Sequence, residues 1–282
     1  SSSSSSSSSV VAAAATFTMG VTPAAGPLSQ GGDGAGGSGE DAEMGLDERD
    51  LADSKKIMLK LLVQVGSDAK VDRNVVASQQ LPALAGAIAG DVEDGLGDYI
   101  SDTLLACVTG FAHKTDIYAA LLGCVNEEDG EFAEDVVNKT IKALETAITS
   151  GATRDMKLLL RFVCLWPAVR LCPPSQLFGS GCLSAIVDAC VGAGEGARGR
   201  ADEVIGAVMF ALIWCSKALS GVESGAACIS AMASRIRGAY MSQRPAGTGK
   251  PVAETLVFPN ALSLRDEDGL ATLLECLNGV VA

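Results

Sequence analysis

The stretch from Thr115 to Leu165 admits few folds, because it strings together three helix-period segments whose breaks are too short for any crossover connection. Tyr118, Leu121, Leu122 and Val125 recur at the i, i+3, i+4, i+7 spacing of one helical face, behind Thr115, which the sequence offers as a side-chain cap. Asn126 to Gly130 breaks that pattern. Glu131 and Glu134, acids suited to a helix N-terminus, then lead into Val137, Ile141, Leu144 and Ile148, and Ser150-Gly151 stops the segment. Asp135 and Lys139 lie one turn apart on its polar side. In the third segment Thr153 stands as the expected cap, and Met156, Leu159, Leu160, Val163 and Cys164 form one stripe up to Pro167, which cannot continue a helix interior. Three helices joined by such short turns lie antiparallel to one another.

The same period runs through most of the chain. Before residue 46 it is absent: Ser1 to Ser9 is a homopolymer, and the Ala, Gly and Ser residues up to Gly45 carry four acidic and no basic side chains, so residues 1–45 are expected to be a disordered leader. Periodicity starts near Leu51, with Ile57, Leu61 and Leu62 ahead of a stop at Gly66. A helix from about Ser78 to Ala89 tolerates Pro82 in its first turn, and another carries Leu96, Ile100, Leu104, Cys107, Val108 and Phe111. Pro173-Pro174-Ser175 introduces Leu177, Phe178, Leu183, Ile186 and Val187, which end at the glycine-rich Gly192 to Gly199 loop. Asp202 to Leu219 is apolar nearly all round, as a helix covered on several sides should be. Ala226 to Tyr240 follows, then a Pro/Gly-containing segment from Met241 to Asn260, then a last helix with Leu270, Leu273, Leu274 and Leu277. Val252 to Phe258 is too short and too close to proline for a strand. Helix starts about twenty residues apart make pairs of about forty, so residues 46–282 read as an all-α, HEAT-like α-solenoid of antiparallel hairpins, about ten helices in all.

Composition narrows the function. A net charge of −13 argues against sequence-independent binding of nucleic acid, which needs clustered Lys and Arg to displace counterions. Nine cysteines without a C-x-x-C pair, beside one histidine, suggest neither a zinc framework nor a disulfide scaffold; they read as buried thiols in a reducing compartment. The nearest approach to a membrane span, Val204 to Cys215, is read as too short, and a soluble protein is expected. With no initiator Met and no basic run before Val10 to Ala15, a signal peptide is not expected and a piece of a longer reading frame is.

Several motifs touch on chemistry. Gly194-Glu195-Gly196-Ala197-Arg198-Gly199 has the G-x-G-x-x-G spacing, yet a dinucleotide fingerprint follows a strand and this one follows a helical pattern, so a loop is expected and a nucleotide-dependent enzyme is the distant alternative. Gly247-Thr248-Gly249-Lys250 fails as a P-loop, because Pro251 stands where Ser or Thr must hold magnesium. Any triad or His-based metal site would need His113, which reads as a helix-end residue, so catalytic, cofactor and metal residues are not expected. Trp166 and Trp214 read as core residues rather than partner anchors. Arg235, Arg237, Arg244 and Lys250 form a basic run with two open readings: charge favoured at a helix C-terminus, or a contact with phosphate or an acidic partner segment.

Lys114-Thr-Asp-Ile-Tyr-Ala-Ala-Leu-Leu-Gly-Cys-Val-Asn126, with Glu131-Phe132 and Lys157-Leu-Leu-Leu-Arg-Phe162 after it, resembles the large subunit of the nuclear cap-binding complex. Met58-Leu-Lys-Leu-Leu-Val-Gln-Val-Gly66 and Leu81-Pro-Ala-Leu-Ala-Gly-Ala-Ile-Ala89 are similar to that subunit's opening helices, in the same order. The likeness is to the first of its three helical domains, of the class named after the middle domain of translation initiation factor 4G. It implies a nuclear, shuttling, non-enzymatic scaffold that needs no cofactor. Such a scaffold supports a small subunit that binds the 7-methylguanosine cap, mainly through downstream domains, so that capped RNA is held indirectly. Export and RNA-processing factors are the other implied partners, in splicing, export and nonsense-mediated decay, and no membrane is implied. The family's basic import run has no counterpart here before Arg49. The alternative within the class is a scaffold of translation initiation or RNA decay that binds a DEAD-box helicase.

Overall fold

Helix-period sequence and short breaks translate into two rows of stacked helices. The computed structural model describes residues 48–68, 70–244 and 269–281, and no strand occurs among the described residues. The expected leader, residues 1–45, lies outside them, as do Lys250 and Val252 to Phe258. The helices are α1 (Glu48–Gln64), α2 (Leu81–Asp91), α3 (Gly97–Gly110), α4 (Thr115–Glu128), α5 (Gly130–Ser150), α6 (Thr153–Cys164), α7 (Cys182–Val191), α8 (Arg198–Ser220), α9 (Gly225–Arg235) and α10 (Gly269–Val281). Single tighter or wider turns fill several joints, among them Arg73–Val75 and Val76–Gln80 before α2, and Trp166–Val169 after α6.

The fold is all-α and solenoid-like. In one row α2, α4, α6, α8 and α10 pack each against the next; in the other, α1 packs on α3 and α3 on α5. Hairpin neighbours such as α4 with α5, α5 with α6, and α8 with α9 tie the rows together. Cys215 of α8 donates its thiol to Arg161 O of α6 at 3.4 Å, while Arg200 at the start of α8 reaches carbonyls that just precede α6. The two helices therefore run in the same direction, as alternate members of a hairpin array must.

The three-helix stretch keeps its apolar faces. Tyr118, Leu121, Leu122 and Val125 of α4, and Val137, Ile141, Leu144 and Ile148 of α5, are all buried. Gly151 ends α5 in the left-handed region at φ 79°, where a residue without Cβ is unstrained. The expected caps are corrected. Thr115 and Thr153 each begin their helix inside it, and their hydroxyls donate backwards, to Ala112 O at 3.1 Å and Gly151 O at 3.3 Å. A turn at Ala112–Lys114 already brings the chain into helical geometry before Thr115, which removes its capping role. The cap that forms in this stretch is Asp129, the single residue between α4 and α5, which accepts from Phe132 N at 2.9 Å.

Two further expectations change. In α1 the core takes Met58, Leu62 and Val65, whereas Ile57 is 60% exposed and Leu61 41%. Apolar residues at 57, 58, 59, 61, 62, 63 and 65 make more than one stripe, and the packing on α3 selects the one through Met58. The segment Glu195–Ser220 is long and apolar enough to cross a membrane by length and composition, so the length argument made for Val204 to Cys215 does not hold. Burial explains its composition instead: α6, α7, α9 and α10 all pack on α8.

α6 sits in the middle. Every residue from Met156 to Cys164 is buried, and Phe162 meets Trp166 edge to face with ring centres 6.1 Å apart. Phe162→Ala should therefore cost about 3–5 kcal/mol in urea unfolding. Leu59→Ala, at a side chain 43% exposed, should cost well under half of that.

Candidate partner-binding surface

Burying α6 on all sides traps two cations that the helical stripe leaves on its polar side. Lys157 and Arg161, one turn apart, are 3% and 4% exposed. Burial pushes the Lys157 ammonium down to about 8, with Glu203 of α8 opposing the shift. Burial also pushes the Arg161 guanidinium down, against the carboxylate of Asp116 in α4. That guanidinium lies 3.6 Å from the ring centre of Trp214 in α8, a cation–π stack. Trp214 itself is 38% exposed, so it is a surface aromatic, and its expected place in the core is corrected. Trp166 is fully buried, as a core residue should be.

These residues form a line across one row. Arg73, ahead of α2, donates to Asp116 Oδ2 at 3.2 Å; Asp116 acts on Arg161; and Arg161 underlies Trp214. Asp116 Oδ1 and Arg161 Nε are buried and without a hydrogen-bond partner. Beside the Arg73 end is a cavity of about 480 Å³, lined by Val71, Val76, Leu81 and Ile117 with His113 and Lys114 among its polar groups. Gly66, at φ +64°, closes one side; a Cβ there would run into the Ile117 side chain. Lys114 is pinned, donating to Val63 O at 2.7 Å and to Ser67 Oγ, and burial pushes its ammonium down. His113 is exposed and stands edge-on to Phe111. Among the described residues no group of three or more His, Cys, Asp or Glu is placed to share a metal ion.

The basic run is not brought together as one surface. Arg235 donates to Ser184 Oγ and Asp188 Oδ1, both on α7. Arg244 and Asp202 form a buried pair, Nε to Oδ1 at 3.2 Å, and the Tyr240 hydroxyl donates to the same carboxylate at 2.6 Å. Burial first, and then that bond, push the Tyr240 hydroxyl up. Arg237 is exposed, and Lys250 lies outside the described residues. Arg235 and Arg244 thus brace this chain's own helices. Of the Gly194 to Gly199 motif, Gly194 follows α7, Glu195–Ala197 form a turn, and Arg198 and Gly199 open α8, where Arg200 donates to Ile148 O at 2.7 Å and Ala147 O at 3.2 Å. A cation placed on the last carbonyls of α5 is a helix-end contact, and it accounts for how the loop is anchored.

The array is similar in part to one known protein. Nuclear cap-binding protein subunit 1 of Arabidopsis thaliana is 28% identical to it over 92 residues, which is 33% of this chain and 11% of that protein. The chain thus spans about a tenth of the length of that relative, and the relationship is partial and distant. No family model and no solved structure matches the chain.

Sequence reasoning missed Lys157 and Arg161 because a charged pair at i, i+4 reads as a solvated face. The signal available was the run Leu158-Leu159-Leu160 with Phe162, which fills more than one side of the same helix. A lysine titrating near 8 in the fold and near its ordinary 10.5 when unfolded lowers stability fully below about pH 8. That loss is relieved as pH rises toward 10.5, because the unfolded chain then holds the extra proton. Lys157→Met should therefore stabilise by about 1–3 kcal/mol at pH 7. Urea midpoints of both proteins should converge between pH 8 and pH 10.5.

Proposed function

We propose that the chain is a non-enzymatic scaffold segment of a nuclear RNA cap-binding complex. The observation that carries the reading is the partial similarity to nuclear cap-binding protein subunit 1. The fold agrees with it, since a two-row helical array offers an extended surface to partners. On this reading the array bears no catalytic group, and cap recognition belongs to a small partner subunit. Trp214, with the buried Arg161 guanidinium stacked beneath it, then serves as a contact for an RNA-processing or export factor, an exposed aromatic of a residue type that often anchors interfaces.

The test is retention on a cap-analogue resin, with and without the small cap-binding subunit, comparing this chain with one extended along its reading frame. Retention of the extended chain only in the presence of the small subunit is the expected result. Retention of neither chain sinks the proposal. Trp214→Ala should leave that retention unchanged while weakening capture of processing factors by about tenfold or more.

A further inference from the structure

We infer that the face between α1 and the start of α2 is a docking groove for an amphipathic helix of a partner protein, one that carries an acidic row beside its apolar stripe. The groove has a volume of about 400 Å³. Leu61 and Val65 form its α1 wall, and Ala83, Leu84 and Ala87 its α2 wall. Both walls repeat at one helical turn, which is the pitch at which a third helix presents its own side chains. The small residues Ala83 and Ala87 let a backbone come close, since interaxial distance follows the side chains at the contact.

The charge around this groove names the partner. From Ser54 to Ser67 and from Asn74 to Gly90 the sequence holds no Asp or Glu, within a chain of net charge −13. Lys56 and Lys60, both exposed, stand one turn apart beside Ile57 and Leu61, so a basic row runs alongside the apolar one. The pairing of Lys56 with Asp53 at 3.0 Å lies on the open surface and is weak enough to be exchanged. A helix with acids flanking its apolar stripe satisfies both rows together. Single-stranded RNA does not, because no aromatic platform lies in the groove to stack bases.

The experiment uses the full chain and fluorescence anisotropy with three synthetic helical peptides: leucines at i, i+4, i+7 and i+11 flanked by Glu, the same stripe flanked by Lys, and the Glu peptide broken by two central prolines. The Glu peptide should bind about tenfold or more tighter than the other two, and more weakly as salt rises. Leu61→Glu should lower its affinity by about tenfold, and Lys56→Glu with Lys60→Glu should reverse the preference between Glu and Lys flanks. Since Leu61 is 41% exposed, its variant should melt as the parent does, and circular dichroism checks this. Equal binding of the Glu and Lys peptides, or indifference to a folded Leu61→Glu, overturns the inference. So does a dimer in sedimentation that Leu61→Glu abolishes, which would give the groove to a second copy.

Discussion

The enclosure of α6 is the constraint on which the rest depends. It lies between α4 and α8 in its own row and against α3 and α5 in the other, so it has no solvent side from Met156 to Cys164. A helix so placed would ordinarily be apolar throughout. This one carries Lys157 and Arg161, and both charges must be satisfied sideways, by neighbours in the row. Glu203 acts on Lys157, Asp116 acts on Arg161, and Trp214 covers the guanidinium. Packing thus comes first and the polar line follows from it.

The same rule governs the other cations. Arg200 sits on the end of α5, Arg235 on Asp188, Arg244 on Asp202, and Lys139 among Asp98, Asp102 and Asp135. For Lys139, partial burial works against the charge, but the three carboxylates outweigh it and raise its pKa. Most of these bonds join different helices, Arg200 reaching from α8 to α5, Arg235 from α9 to α7 and Lys139 from α5 to α3, so the cations tie the stack together. The acidic excess of the chain then falls mostly on open surface. It is against this background that the exposed lysine row on α1, where Lys56 has only the surface pairing with Asp53, stands apart.

How much was legible follows from where each signal originates. The faces of α4 and α5 were readable because one dominant stripe with polar flanks leaves a single way to pack. The stop at Gly151 was readable because the left-handed backbone requires its residue type. The register of α1 was not, since Ile57 and Met58 both head plausible stripes and only α3 decides between them. Thr115 was misjudged as a cap because a preceding turn, invisible to the helical period, had already set the backbone, and Thr153 because its helix starts one residue earlier than the cap reading requires, after the non-helical Ala152. In the site, Trp214 looked like core by composition of its helix, whereas it stands half-exposed over Arg161, fifty-odd residues earlier in the chain. Arg235 and Arg244 were read as a run, whereas the fold sends them to carboxylates on different helices.

The exposure of Trp214 carries one more step of argument. An indole left 38% open forgoes burial of some 80 Å² of largely apolar surface, on the order of 2 kcal/mol. Turning it inward would recover that area but uncover a guanidinium whose Nε already lacks a partner, and an unscreened buried charge costs more than the area returns. The ring is therefore held at the surface by the cation beneath it. A ligand that covers its outer face gains the forgone burial without disturbing the stack, and it meets a side chain whose conformation the stack has already fixed. Rigid, half-exposed and apolar, Trp214 offers an incoming partner burial at little cost in ordering.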